Sequence, residues 1–314
     1  MTSRSERLRR LFAPPGGPVL GLVVVIAANV LLTPGFGSGS TLRNVLLQVA
    51  PTMLVATGMT FVIASGGIDL SVGSTMAIAS AAAATQLQHG AGFAVALGLF
   101  AGAAVGLLNG AVTAIGGVQP IIVTLATLIA GRGFAQVISE GGQLISFRNP
   151  GFQSLGQGSI GPVPTQVFIM SLVLLAGFVV LRLTVFGRYV LAVGGSERAA
   201  RLAGVHVWRT KTAVYCISGV VAALAGLIET ARLGASDAAR VGLNIELDAI
   251  SAVVIGGTAL QGGTATIVGT AAGALIIQTI MTAFNMLAVP FSWSLAVKAT
   301  VILAIVWVHR AKAV

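Results

Sequence analysis

Long apolar runs separated by short polar turns dominate this chain. A spanning helix needs about 20 mostly apolar residues. The runs predict ten candidate spans: Pro18 to Leu32, Val45 to Ser65, Val72 to Leu87, Phe93 to Ile115, Pro120 to Ile138, Gln166 to Leu183, Thr212 to Ala231, Ile250 to Leu260, Ile267 to Leu287 and Trp293 to Val308. The run from Ile250 is too short to cross as a straight helix. It is expected to continue as irregular backbone, which is tolerated at membrane depth only where protein or a water-filled cavity satisfies it. The expected fold is an all-α integral membrane protein with about ten transmembrane helices, forming one domain over residues 1–314. Eight spans plus re-entrant segments is the competing count.

Two glycine-rich stretches interrupt this pattern and read alike. Gly66-Gly67-Ile68-Asp69-Leu70-Ser71-Val72-Gly73-Ser74 aligns with Gly256-Gly257-Thr258-Ala259-Leu260-Gln261-Gly262-Gly263-Thr264 at a constant offset of 256 − 66 = 190. Each follows an apolar run and precedes an Ala/Gly-rich one. Glycine-interrupted segments at matching positions in two halves point to the working centre of a transporter. Six spans separate the copies, an even number, so the repeats are expected to be parallel in the membrane.

Composition narrows the class. Hydrophobic residues make up 56% of the chain and charged residues only 8%, against roughly 25% charged in soluble domains. The net charge of +10 is therefore read as a topology signal and not as a nucleic-acid footprint. His89, His206 and His309 are too scattered for a metal site. The spans offer no Ser/His or paired-Asp constellation for a hydrolase, so no catalytic residue is expected. No Walker nucleotide loop occurs, and no cofactor is expected in this chain.

Positive charge sets the expected orientation. Arg4, Arg7, Arg9 and Arg10 precede the first span, in the segment 1–17. Arg182, Arg188, Arg198, Arg201, Arg209 and Lys211 cluster around the polar loop 186–211, and Arg310 and Lys312 close the chain. The positive-inside rule puts all three regions in the cytoplasm. The segments Asn149 to Thr165 and Gly234 to Asp248 then face outward, where Asp237, Glu246 and Asp248 balance Arg240.

The central loop carries a helix signature. Ser196 is a good N-cap, Glu197 suits the positive helix end, and Gly204 is a natural stop. A helix of about two turns is too short to be stable alone. Ser196, Glu197, Arg198, Ala199, Ala200, Arg201 and Gly204 are read as a coupling helix seated on a cytoplasmic partner. The other reading is a surface helix held by anionic lipid.

Candidate path residues are Gly66, Gly67, Asp69, Ser71, Asn109, Thr124, Gly256, Gly257 and Gln261. Asp69 is the only acid within a glycine-rich break. Either it is functional at depth or it caps the helix that starts near Ser71. Glu229 and Arg232 read as an i,i+3 pair, and Arg132 either snorkels or meets Glu140. Gln119, Gln278 and Asn285 either join a polar path or make interhelical hydrogen bonds. A proton-coupled secondary transporter is the rival function, and only Asp69 and Glu229 qualify as its embedded acids.

Four motifs in order carry a family resemblance: the stretch Gly66 to Ser74, the run Gln119-Pro120 to Ala130-Gly131-Arg132-Gly133, the loop Ala199-Ala200-Arg201-Leu202-Ala203-Gly204-Val205, and Glu246-Leu247-Asp248-Ala249-Ile250 through Val254-Ile255-Gly256-Gly257-Thr258. Over roughly residues 40–308 the chain resembles the ribose/xylose/galactose-type permeases of bacterial ATP-binding-cassette sugar importers. Ala130 to Gly133 and Gly234 to Ala239 look most like the galactofuranose-type members. Ser196 departs from the Asn common in the family, and either residue caps a helix. The resemblance implies an inner-membrane, multi-pass permease subunit and a second permease chain, identical or paralogous. It also implies a cytoplasmic ATPase that binds ATP and Mg, a periplasmic sugar-binding protein, and a sugar passing among lipid-embedded helices.

Overall fold

The computed structural model describes residues 16–290, together with Trp293, Ala296 and Thr300. The first basic cluster (Arg4, Arg7, Arg9, Arg10), nearly all of the predicted span from Trp293, and Arg310 and Lys312 lie outside the described residues.

The described chain is almost entirely helical. The helices are α1 (Gly16–Leu32), α2 (Gly39–Ala64), α3 (Val72–Thr85), α4 (Ala91–Ala114), α5 (Pro120–Ile138), α6 (Pro150–Gln157), α7 (Thr165–Leu183), α8 (Val185–Gly195), α9 (Glu197–Leu202), α10 (Val207–Leu233), α11 (Ile245–Ile255) and α12 (Ile267–Met286). Six of them, α2, α4, α5, α7, α10 and α12, are long and apolar enough to cross a membrane. The expected span Val72 to Leu87 ends at Thr85, and its 14 residues reach only about 21 Å at 1.5 Å per residue. The expected span from Ile250 starts earlier and stops at Ile255, with irregular backbone from Gly256 onward. Two helices were not foreseen: α6, within the predicted outer segment, and α8, within the loop read as polar.

Helices α2 and α10 form the centre. The main core runs from Val49 through Ile63 on α2 and includes Val214, Tyr215, Ala222 and Ile228 on α10. Small residues let α4 lie directly on α10. Ala94, Gly98, Gly102, Gly106 and Gly110 recur every fourth residue and are buried. A Cβ at Gly102 would strike Ala223 and the Gly219 carbonyl, and one at Gly110 would sit 2.7 Å from Thr212 Cα. This is the small-residue packing of membrane helices, in which close backbone approach replaces the hydrophobic drive.

Contacts fix the helix directions. Gly58 lies on Ser218, and Arg232 Nη1 reaches Leu47 O at 3.5 Å, so α2 runs antiparallel to α10. Ser218 bonds Asp69 and Thr230 bonds Ser80, so α3 runs parallel to α10. The Thr60 and Thr270 hydroxyls lie 2.9 Å apart and Gln278 Nε2 donates to Gln48 Oε1 at 2.9 Å, so α12 is antiparallel to α2. Gly256 packs on Gly269 and Ala252 on Gly273, which makes α11 and α12 antiparallel. Both glycine-rich breaks therefore reverse the chain. At the opposite end, β1 (Ile145–Ser146) pairs antiparallel with β4 (Ala235–Ser236), while β2 (Ser159–Ile160) and β3 (Val163–Pro164) form a small hairpin.

Candidate functional site

Three helix ends meet at one point. The two breaks touch directly, with Gly263 N donating to Ala64 O at 3.0 Å. The end of α8 is wedged beside both. A Cβ on Gly194 would strike Ala64 O and come within 2.6 Å of Gly263 N. One on Gly262 would lie 2.9 Å from both Gly194 O and Gly66 N. Only backbone fits at Gly194 and Gly262, whereas a Cβ on Gly66 would have room and glycine is favoured there by its left-handed φ of +83°. The residue after Gly195 is Ser196, the N-cap of α9.

The same stop closes α2, α11 and α9. A glycine with left-handed φ (Gly66 +83°, Gly257 +86°, Gly204 +82°) ends each helix. The next residue's amide then reaches back five positions: Gly67 N to Val62 O, Thr258 N to Val253 O and Val205 N to Ala200 O, at 3.0 to 3.2 Å. Left-handed glycine stops of this kind satisfy carbonyls that the helix end leaves orphaned. The pattern pairs turn glycines that the 190-residue alignment leaves one position apart. The equivalent turn glycines are Gly66 and Gly257, an offset of 257 − 66 = 191 and not 190. The copies then diverge, since α3 opens at Val72 whereas α12 opens only at Ile267.

The first break is closed by a buried polar network. Asp69 is 1% exposed. Its Oδ1 accepts from the Ser71 amide at 3.0 Å and the Ser71 hydroxyl at 2.6 Å, and its Oδ2 accepts from Ser218 at 2.8 Å. Asn109 Nδ2 donates to Ser71 Oγ at 2.8 Å, and Thr127 donates to Asn109 Oδ1 at 2.6 Å. Thr124 donates to Ile68 O at 3.2 Å. The candidate residues Asp69, Ser71, Asn109 and Thr124 thus come together as a knot tying α3, α4, α5 and α10. The Asp69 carboxyl group holds the turn that leads into α3, bonding the amide of Ser71 at the N-cap position and not an amide within the helix.

The second break has a different closure. Thr258 Oγ1 accepts from Thr266 N at 3.3 Å, and Thr266 Oγ1 caps α12 by accepting from Gly269 N at 3.2 Å. Gln261 is exposed. Sequence reasoning missed Thr258, which stands at the place of an apolar Ile68 in the 190 register. It also missed Gly194, Thr127 and Ser218. The four-residue glycine spacing of α4 was a legible signal for the Gly102–Gly219 contact.

Helix α9 has the caps read from the sequence. Ser196 Oγ accepts from Ala199 N at 3.3 Å, Glu197 opens the first turn, and Gly204 is the stop. Glu197 pairs with Lys211 of α10. Ala200 needs correction, because it is 4% exposed and packs inward on Val193, Val205 and Val207. It seats the helix and does not face outward. Glu197, Arg198, Ala199, Arg201, Leu202 and Gly204 are exposed, Leu202 by 84%. A cleft of about 820 Å³ opens beside them, lined by Ala114, Ile115, Arg201, Val205, His206 and Trp208.

Arg132 neither snorkels nor meets Glu140. It crosses to the segment before α11, where Nη1 donates to Val241 O at 2.7 Å and Ala238 O at 3.1 Å. Arg240 pairs with Asp237 at 3.6 Å. No group of three or more His, Cys, Asp or Glu residues suited to a metal occurs among the described residues.

The bundle of apolar helices, six of them long and apolar enough to cross a membrane, surrounds backbone-tight breaks that lead into an exposed capped helix. The chain belongs to the family described as branched-chain amino acid transport system / permease component, which matches residues 41–306. It is 42% identical over 299 residues to the ribose import permease protein of Escherichia coli K12, covering 94% of this chain and 93% of the relative. The ribose import permease protein of Bacillus subtilis is 41% identical, with 94% and 92% covered. The galactofuranose transporter permease protein of Escherichia coli K12 is 40% identical over 313 residues, with 96% and 91% covered. No solved structure matches the chain. It is thus a permease of the ATP-binding-cassette sugar importers, a non-catalytic subunit that crosses the inner membrane several times.

Proposed function

We propose that the chain forms the translocation path for a neutral pentose or hexose, furanose forms included, and couples its opening to partner ATPases through α9. The observation that carries this reading is the junction of Gly66, Gly194 and Gly263. There, both breaks touch the strand that enters α9. A force on α9 is transmitted through backbone contact, with no flexible side chain to absorb it. The exposed Leu202, flanked by Arg198 and Arg201, suits a groove with an apolar floor and an acidic rim. ATP and Mg are bound by the ATPase, and a periplasmic binding protein delivers the sugar.

The same reading takes residues 1–314 as one permease domain that works as a pair, with an identical or a paralogous chain. The end bearing α9 faces the cytoplasm, in keeping with the basic residues gathered there. Ten crossings follow when α3 and α11 are counted as the short arms of two hairpins and Trp293 to Val308 as the last span. Both termini are then cytoplasmic. The two halves are parallel, since α2 runs with α11 and α3 with α12.

Vesicles carrying the permease, its ATPase and its binding protein test the proposal. Uptake is expected to require ATP and to survive collapse of the proton gradient. Leu202→Asp is expected to reduce uptake at least about tenfold while the protein remains inserted, because a charge replaces the apolar anchor that the partner's groove would bury. Uptake that follows the proton gradient, or that is untouched by Leu202→Asp, overturns it.

A further inference from the structure

Two sequence candidates, Gln278 and Asn285, are not part of the buried knot. They lie on a seam between α2 and α12 that faces out of the bundle. Gln278 Nε2 donates to Gln48 Oε1 at 2.9 Å and to Thr282 Oγ1 at 3.2 Å. Gln48 and Asn285 are exposed, and Gln278 is half-buried. On α2, Asn44, Gln48 and Thr52 recur every fourth residue. On α12, Gln278, Thr282 and Asn285 follow at helical spacing, so each set shares one face. The helices are antiparallel, so the two faces run side by side.

Depth makes the seam unusual. Gln48 is nine residues into α2, about 14 Å along a helix of 1.5 Å rise. Gln278 is eight residues from the end of α12, about 12 Å by the same rise. Both amides therefore sit well inside a hydrocarbon layer of about 30 Å. Amides facing lipid at that depth would leave donors and acceptors without water, which is costly. The apolar faces of α4, α5 and α7, with Phe100, Ile129, Phe134, Leu172 and Leu175 exposed, show what this chain presents to lipid. The α2–α12 seam is of the opposite kind.

We propose that the Gln48–Gln278 amide pair, with Asn44 and Thr282, is a sugar-contact subsite at mid-depth in the translocation path. The inference rests on the permease reading above and names its substrate-touching residues. Each primary amide both donates and accepts, as a sugar hydroxyl does. In the empty path the two amides satisfy each other. An arriving vicinal diol replaces that single bond with one bond from each amide, at a small net change in free energy. Weak replacement of this kind suits a carrier that must release its cargo. The pair carries no charge, so it favours neutral polyols over sugar acids and phosphates.

The test uses the reconstituted complex with Cys216, the one native cysteine, changed to serine. Gln48→Cys and Gln278→Cys are treated with a water-soluble, charged methanethiosulfonate reagent during turnover. Leu46→Cys serves as the control on another face of α2. The two seam variants are expected to react at least about tenfold faster than this control, because only thiolate in contact with water reacts readily. The transported sugar, delivered by its binding protein, is expected to slow them, while a sugar that is not transported is not. Gln48→Leu is expected to raise the KM for uptake roughly five- to tenfold, the worth of about one hydrogen bond, with Gln48→Asn partly restoring it. Seam variants as inert as the Leu46→Cys control overturn the proposal, as do seam variants that react equally with and without sugar. Either result leaves ATP-dependent uptake by the unmodified protein standing, so the subsite fails separately from the permease reading.

Discussion

The two glycine-rich breaks start alike and finish differently. Each closes its helix with a left-handed glycine and a backward amide bond. The first then turns within residues 65–71, while the second takes residues 256–266, four residues more. The first is sealed by a carboxylate with three hydrogen bonds and is largely buried. In the second, threonine hydroxyls replace the carboxylate, and Leu260, Gln261 and Thr264 stay exposed. Equivalent turns thus need not be equivalent in stiffness. The short, saturated break is built as a fixed strut. The longer and more open one meets it through the backbone bond from Gly263 N to Ala64 O.

If that bond is where the two breaks work on each other, Gly194→Val gives the largest effect. Its side chain would have to occupy space already held by Ala64 O and Gly263 N. Backbone atoms cannot swing aside, so the overpacking cost is about 3 kcal/mol or more. Uptake is expected to be lost and the purified protein to melt several degrees lower. Normal uptake by this variant would show that the junction is loose.

The next effect separates the two closures. Asp69→Leu removes the acceptor for a buried amide and two hydroxyls. The Ser218 hydroxyl can turn to a carbonyl of its own helix, but the Ser71 amide has no such alternative, so the cost is about 2–4 kcal/mol. Thr258→Val keeps the shape and removes one long bond to Thr266 N, at about 1 kcal/mol. Thermal unfolding in detergent micelles should rank them in that order. Equal losses would erase the contrast between the two closures.

Much of this contrast was legible in the sequence, and the reason lies in local chemistry. The caps Ser196 and Gly204 and the turn glycine Gly66 follow from what a helix end demands, so residue type reveals them. The face of α9 was not legible. Six residues give too little periodicity to tell Ala200 from Ala199, and which one is buried depends on where Val193 and Val207 arrive. The length difference between the breaks was hidden because Gly73-Ser74 and Gly263-Thr264 are alike in residue type while lying in a helix and in irregular backbone respectively. The seam amides Gln278 and Asn285 were visible as polar residues in a span, but their outward face appears only once Gln48 is seen opposite. Helix α8 was hidden by Gly187, Arg188 and Gly194, which read as loop although Thr184 caps the helix, its Oγ1 accepting from Gly187 N at 3.2 Å.

The smallest effect tests what the carboxylate of the first break is for. In Asp69→Asn, the amide oxygen occupies the place of Oδ1 and accepts from the Ser71 amide and hydroxyl as before. The new NH₂ group faces Ser218, whose hydroxyl now donates to Asp69. A serine hydroxyl also accepts, so it reverses its role and sends its own proton to a carbonyl of the preceding turn, a bond that helical serines commonly make. Every buried group keeps a partner, and the weakening of three bonds from charge-assisted to neutral is offset by the lower cost of burying an uncharged amide, leaving a net loss below about 1 kcal/mol. Asparagine is also as good as aspartate for opening a helix. ATP-driven uptake is therefore expected to stay within about threefold of the unmodified protein, as that energy allows. The same measurement on Asp69→Leu should show near-complete loss. Should Asp69→Asn be as dead as Asp69→Leu, the charge itself would be required, and the first break would be a working group instead of a strut.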